Sequence, residues 1–405
     1  MELEEDIEKI REDKERVGFG PQINGKSALE GRKITILDST LREGEQFPGC
    51  SFTNSERIQI AWTLDFLGVD AIEISPVISR QHMEACKKIV KAGLKATIVA
   101  HGRALKKDID QVLECDATFM AMYHSVSDIH LKYKLRITRE EALSRTLEAV
   151  DYAKAHGLKI RVTLEDASRA DPSYMVAFVK ELEKAHADRI SIPDTVGIMT
   201  PAGMYNLVKT IKKSVNVPLD VHCHNDMGLA LANSVAGLEA GAEQIHVTAN
   251  GLGERVGIPD LSQASTVLKL LYGAEIKIRF NMLFDLAKLV EEYTSIPVPT
   301  SAPLVGANAY KHKAGTHVAA VLRNPKTYEL IPPKIVGNKR RLVFGSLLGK
   351  NGAEFLLKMF GIEAPSESGK LVSGLKDLGI DLFELELTEE MEELLKRGEG
   401  VLNRV

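Results

Sequence analysis

From Lys33 onward the chain repeats one pattern eight times: a short β-branched or apolar run, then an amphipathic stretch. The runs fall at 34–38, 71–75, 96–101, 117–123, 159–164, 189–193, 219–224 and 244–250. Segments with helical spacing lie between them, at 55–67, 139–155, 172–187, 201–213 and 230–240 among others. Alternating strand and helix units joined by right-handed crossovers build a parallel sheet. Eight such units over about 240 residues match a closed TIM (β/α)8 barrel better than a doubly wound sheet, which more often has five or six strands. The pattern therefore predicts an α/β fold with a barrel over 33–278. An amino-terminal extension would occupy 1–32, and a helix with a proline-rich linker 279–303. Small carboxyl-terminal α+β subdomains would follow, one over 304–345 acting as lid or dimer arm and a helical one over 346–405.

Polar residues gather where each run gives way to its loop: Arg42 and Glu43, His101, His124, Glu165 and Asp166, Asp194 and Thr195, His222 and His224, and Asn250. In a barrel that is the carboxyl end, where the active site belongs. The central stretch is LDVHCHND at 219–226. Side chains on a strand repeat every two residues, so His222 and His224 share a face and Cys223 points away from it. Two imidazoles on one face make half of a metal site, although a packed, hydrogen-bonded pair satisfies the same spacing. A second cluster, DSTLREGEQ at 38–46, adds a hard carboxylate at Glu43. With His222 and His224 it would leave coordination positions open for substrate or water. Mixed nitrogen and oxygen ligation suits Mg, Mn, Zn or Co without choosing among them. Arg42 is suited to stabilising a developing oxyanion, the alternative being an ordinary surface loop. GLGER at 251–255 reads as a tight turn, weak evidence by itself for a phosphate site.

Composition narrows the partners. A formal charge of −4 gives no electrostatic case for nucleic acid or an anionic membrane. The sequence has no apolar run of about 18 residues, so no membrane span is expected. The amino terminus is charged rather than signal-like, and four cysteines lie scattered without paired spacing. The expectation is a reduced, cytoplasmic protein.

Three motifs carry a resemblance: LREGEQ at 41–46, LDVHCHNDMGLALA at 219–232 and NGLGERVG at 250–257. Together they resemble the acyl-CoA-condensing TIM-barrel synthases, namely the homocitrate, 2-isopropylmalate and citramalate synthases, over about residues 33–328. The resemblance implies a divalent metal held by Glu43, His222 and His224, and Arg42 polarising the keto group of a 2-oxo acid. It implies acetyl-CoA as co-substrate and an acyltransferase reaction, in which the acetyl enol attacks the oxo acid and the thioester is then hydrolysed. YKHKAGTHVAAVLRNPKTYELIPP at 310–333 resembles the arm that crosses onto a partner subunit in this family. A homodimer with exchanged arms, or a higher assembly, is thus expected, with His317 and Tyr328 as catalytic residues and Glu165 orienting or relaying for the histidine. His312, His124, His130 and His246 read as loop, surface or supporting residues.

The same resemblance bears on substrate. Isopropylmalate synthases carry a glutamate on the fifth strand, where this chain has Arg161 in IRVTLED. A cation there suits an oxo acid with a second carboxylate. Homocitrate synthases look similar at this point, at His101, at Ile258 and at 125–142. Their pattern places Gln46, His101, Thr163 and Thr195 around the oxo acid. Arg57 departs from a family lysine but keeps the charge. The implied reaction is homocitrate synthesis from 2-oxoglutarate and acetyl-CoA, the entry to lysine biosynthesis through 2-aminoadipate, with lysine as an active-site competitor. Citrate formation of the opposite stereochemistry from oxaloacetate is the close alternative, followed by 2-isopropylmalate or citramalate synthesis. A carbon–carbon lyase and a non-catalytic paralogue lie further off. The long regulatory domain of most isopropylmalate synthases is not expected.

Overall fold

The computed structural model describes residues 2–359, 362, 365–388 and 391. They form two compact units: Asn24–Arg279 with Leu286–Pro297, and Met1–Ile23 with Phe280–Asp285 and Val298–Val405.

The first unit is the barrel. Strands β1 (Thr35–Asp38), β2 (Ala71–Ile74), β3 (Thr97–Arg103), β4 (Phe119–Ser125), β5 (Lys159–Glu165), β6 (Arg189–Asp194), β7 (Leu219–Cys223) and β8 (Gln244–Val247) pair in sequence order. β1 also pairs in parallel with β8, closing the sheet. All eight expected runs are strands, with ends moved by a few residues. The third continues to Arg103, and the eighth stops at Val247 because 249–251 turns into a 3-10 loop with Asn250 at φ 58°.

Local chemistry sets where the crossover helices begin. Thr53 and Glu56 form a capping box at Asn54–Leu67, and Thr138 and Glu141 form another at Arg139–Ala155. Asp171 before Pro172 and Thr200 before Pro201 cap the helices Pro172–Lys184 and Pro201–Lys212. Each cap satisfies backbone N–H groups that lack an intrahelical partner. A helix after every strand leaves the outward face of the sheet covered and the inward face as the barrel interior.

That interior is divided. Leu37, Ala71, Val99 and Ala121, from the first four strands, make an apolar cluster with Phe119 packed against it. The other strands supply Arg161, Ser191, Asp220 and His246, all buried. Arg161 on β5 meets Glu73 on β2 and lies 3.2 Å from His246 on β8. None of these strands are neighbours of β5, so the contacts cross the barrel. Most barrels of this type are filled by branched aliphatic residues, and this one has charged side chains across its middle.

The second unit contains a three-stranded sheet, β11 (Asp381–Glu386), β10 (Arg341–Gly345) and β9 (Lys311–His312), in that order. Its core joins Val318, Leu342, Phe344, Leu348, Phe355, Leu356 and Leu375. The antiparallel β10–β11 pair links the stretches 304–345 and 346–405 into one sheet, and β11 is a strand inside the stretch expected to be helical. Helices occupy much of 2–24, and the stretch up to Ile23 belongs with the second unit. Arg16 Nη1 donates to the Glu329 carbonyl at 2.7 Å, while Lys326 pairs with Asp13 at 2.8 Å and Glu15 at 2.7 Å. Among the described residues no helix is long and apolar enough to cross a membrane.

Gly68 ends the helix Asn54–Leu67 at φ 103°, and a Cβ there would sit 2.1 Å from the carbonyl oxygen of Lys277. Gly68→Ala meets both a left-handed backbone and a fixed backbone oxygen. It is expected to lower unfolding free energy on the order of 3 kcal/mol, read as a shifted denaturant midpoint with unchanged slope.

Candidate active site and metal centre

The carboxyl ends of the strands enclose a cavity of about 160 Å³. Of the expected residues, Arg42, Gln46, His101, Thr163, Glu165, Thr195, His222 and His224 line it, together with Tyr123 and Pro193. Every lining side chain except Pro193 carries a polar atom.

Arg42 and Glu43 follow β1 on a turn held by Ser39, whose carbonyl accepts from the N–H groups of Arg42 at 3.0 Å and Glu43 at 2.7 Å. Glu43 is 2% exposed, and one potential ligand atom each of Glu43, His222 and His224 lies within 4.8 Å of the others. Glu43 Oε1 accepts the Glu254 N–H at 2.8 Å, and its other oxygen meets Arg42. The glycines of 250–257 make that backbone contact possible. Gly257 sits at φ 81°, and a Cβ there would be 1.7 Å from the Gly251 carbonyl oxygen.

The three side chains fit a divalent ion. Burial and the neighbouring His224 and His246 push the His222 pKa well down, and burial lowers that of His224. Both imidazoles are thus held neutral, the form that ligates. His224 Nδ1 is buried with no hydrogen-bond partner. A hard oxygen and two nitrogens are the kind of donor set that can hold a divalent ion and leave positions for further ligands.

Arg42 is 9% exposed and touches three groups: Glu43, Glu73 at 3.0 Å and His101 Nε2 at 3.0 Å. Arginine only donates, so His101 Nε2 accepts. Burial and the Arg42 charge hold the His101 pKa well below that of a free imidazole. Its ring stacks on Tyr123, centroids 5.1 Å apart and 8° from parallel. Burial alone would raise the Glu73 carboxyl, but Arg42 and Arg161 outweigh it and keep it well below the ordinary value.

Arg161 does not line the cavity. It is 1% exposed, paired with Glu73, 3.2 Å from His246 Nε2, and its Nε has no hydrogen-bond partner. Thr163, two residues along the same strand face, reaches the cavity with its buried hydroxyl oxygen unpartnered. Thr195 Oγ1 accepts the Asp166 N–H at 2.9 Å.

Glu165 is tied by Ser125 Oγ and by Lys134 Nζ, 2.6 Å from each carboxylate oxygen. Burial raises its pKa, and these partners more than reverse that, leaving it ionised near neutral pH. His317 and Tyr328 belong to the second unit, where their rings stack with centroids 3.8 Å apart. The chain thus brings the histidine and tyrosine of the expected arm together.

Sequence reasoning missed Glu73, Tyr123 and Lys134. Glu73 carried a signal, an acid in the middle of the apolar run AIEIS at 71–75. Tyr123 shares the inward face of β4 with Ser125, a pairing that period 2 makes readable. Lys134 lies in a π-helical turn, Leu131–Leu135, whose geometry has no clear sequence signature.

Comparison with known proteins accords with the barrel fold. A family model described as HMGL-like matches residues 33–290. The chain belongs to the HMGL-like family. A second model, homocitrate synthase post-HMGL domain-like, matches 304–380 of this HMGL-like protein. It is 44% identical to a probable 2-isopropylmalate synthase of Ignicoccus hospitalis, over 91% of this chain and 94% of that one. It is 43% identical to an (R)-citramalate synthase of Methanocaldococcus jannaschii, over 85% and 71%. It is 45% identical to a homocitrate synthase of Sulfurisphaera tokodaii, over 82% and 73%. The barrel also resembles the HMG-CoA lyase structure of Bacillus subtilis, with a TM-score of 0.61 at 20% identity, covering 67% of this chain and 96% of that one. That likeness speaks to fold alone.

For this HMGL-like protein, Glu43→Ala or His222→Ala is expected to abolish stoichiometric binding of a divalent ion, from roughly one per chain to none. Metal analysis after gel filtration measures it, and retention of metal by both variants contradicts the assignment.

Proposed function

We propose that the protein is a homocitrate synthase, which condenses acetyl-CoA with 2-oxoglutarate and hydrolyses the thioester to release homocitrate and CoA. The observation that carries this reading is the lining of the cavity. Apart from Pro193 it offers only polar or charged side chains, including Arg42, His101 and the unpartnered Thr163 hydroxyl. A branched alkyl group would leave these groups desolvated and unpaired, whereas a carboxylate satisfies them.

A divalent ion held by Glu43, His222 and His224 would supply Lewis-acid polarisation of the keto oxygen. Arg42, fixed by Glu43 and Glu73, stabilises the charge that develops on that oxygen. Thr163 and Thr195 orient the oxo acid, with Gln46 at the rim. Arg161 does not reach the cavity and acts on the second carboxylate from beneath, through the Glu73 carboxylate that it shares with Arg42, and His101 stays neutral beside Arg42. His317 removes the proton from the acetyl methyl group, with Tyr328 stacked on it and the Glu165 carboxylate orienting it. The arm that bears His317 would come from a second copy of the chain. The resulting enol attacks C2, and water then releases CoA, which makes the condensation effectively irreversible. Lysine, if it regulates, competes with 2-oxoglutarate at this cavity.

Similarity to 2-isopropylmalate synthases favours a second reading, with 2-oxoisovalerate as acceptor. Release of free CoA by the metal-loaded protein, with 2-oxoglutarate, oxaloacetate, 2-oxoisovalerate or pyruvate as acceptor, separates the readings. A preference for 2-oxoglutarate is expected. Arg161→Ala should reduce kcat/KM for it about 100-fold, equivalent to about 2.7 kcal/mol, and by much less for 2-oxoisovalerate. Preference of the wild type for 2-oxoisovalerate or pyruvate overturns the dicarboxylate reading, and preference for oxaloacetate moves the protein to citrate formation.

A further inference from the structure

Asp220, His222 and His224 occupy alternate positions of one strand run, so their side chains face the same side in successive layers. β8 aligns Gln244 with Asp220 and Ile245 with Val221, which brings His246 beside His222. His246 is 1% exposed, and its Nδ1 lies 3.2 Å from His222 Nδ1. Two ring nitrogens at that distance bond only if one bears a proton and the other a lone pair.

Metal ligation by His222 would decide which. His222 Nε2 is the nitrogen turned toward Glu43, 3.8 Å from Oε2. For Nε2 of a neutral imidazole to present a lone pair, Nδ1 must carry the proton, so His246 Nδ1 must accept it. Neutral His246 then carries its own proton on Nε2. Asp220 Oδ2 lies 3.5 Å from that nitrogen and is a buried oxygen with no hydrogen-bond partner. The other oxygen of Asp220 accepts from Arg189 Nε at 2.7 Å, which fixes the carboxylate from below. Arg161 Nη1 lies 3.2 Å from the same His246 nitrogen. An obligate donor, it would favour the opposite arrangement, with the His222 proton on Nε2 and no lone pair toward Glu43. Asp220 therefore opposes Arg161 at one ring atom.

The geometry points to Asp220 and His246 as positioning residues that set the tautomer and orientation of His222 for metal binding. This inference rests on the metal reading of Glu43, His222 and His224 and extends it to two side chains outside that set. Partners of this kind typically change metal affinity 10- to 100-fold.

The test is titration of the full metal-free chain with Co(II), followed by calorimetry and by the visible ligand-field bands, with far-UV circular dichroism as a fold control. His246→Ala and Asp220→Asn are expected to bind Co(II) about 10- to 100-fold more weakly than wild type. His246→Gln, whose amide oxygen accepts the Nδ1 proton and whose NH2 can face Asp220, should recover most of the affinity. Nitrogen-15 spectra of the zinc-loaded wild type give a readout independent of any variant. They should show the proton on His222 Nδ1 and on His246 Nε2. Wild-type affinity in both His246→Ala and Asp220→Asn, or a His222 proton on Nε2, overturns the relay while leaving the metal site intact. Absence of Co(II) binding by wild type, with no difference from Glu43→Ala, overturns the metal reading and the relay together.

Discussion

Glu73 has no exposed surface, yet it is ionised between two guanidiniums, Arg42 from the end of β1 and Arg161 from β5, with Ser39 Oγ donating at 2.5 Å. A buried carboxylate costs several kcal/mol in lost hydration, and only close, well-oriented opposite charges repay it. The site grows outward from this compensation. Arg42, held by Glu73, reaches Glu43 and His101; Arg161, held by Glu73, reaches His246 and through it His222. Removing any one charge would leave another buried and unpaired, so these residues depend on one another.

This arrangement explains how the barrel interior is divided. On the first four strands one layer of the interior, Leu37, Ala71, Val99 and Ala121, packs as apolar side chains, with Glu73 on β2 as the charge set above it. On the others the interior carries charges and hydroxyls, several without partners: Arg161 Nε, Thr163 Oγ1, Ser191 Oγ and Asp220 Oδ2. Unmet polar groups at this depth destabilise a fold. Their concentration beneath one cavity is the local breach of packing rules expected where structure is given up for function.

The fold was legible because the eight alternations of apolar run and amphipathic stretch follow local rules. The candidate ligands were legible because period 2 places His222 and His224 on one face. The depth of Arg161 was not, since the register between β5 and β2 depends on barrel shear and no local pattern encodes it. Glu73 stood in plain view as an acid among aliphatics, but its partners lie 31 and 88 positions away in sequence. The joining of 2–23 to the carboxyl-terminal unit was equally hidden, because Arg16 meets Glu329 through a backbone oxygen that any residue could offer.

The most direct test of the account is Glu73→Gln in the full chain, with unfolding free energy and kcat/KM for the 2-oxo acid measured on the same preparation. Glutamine keeps the shape and removes the charge that compensates Arg42 and Arg161. The account predicts a stability loss of about 3–5 kcal/mol and a fall in kcat/KM of about 100-fold or more. A variant as stable and as active as wild type would contradict it.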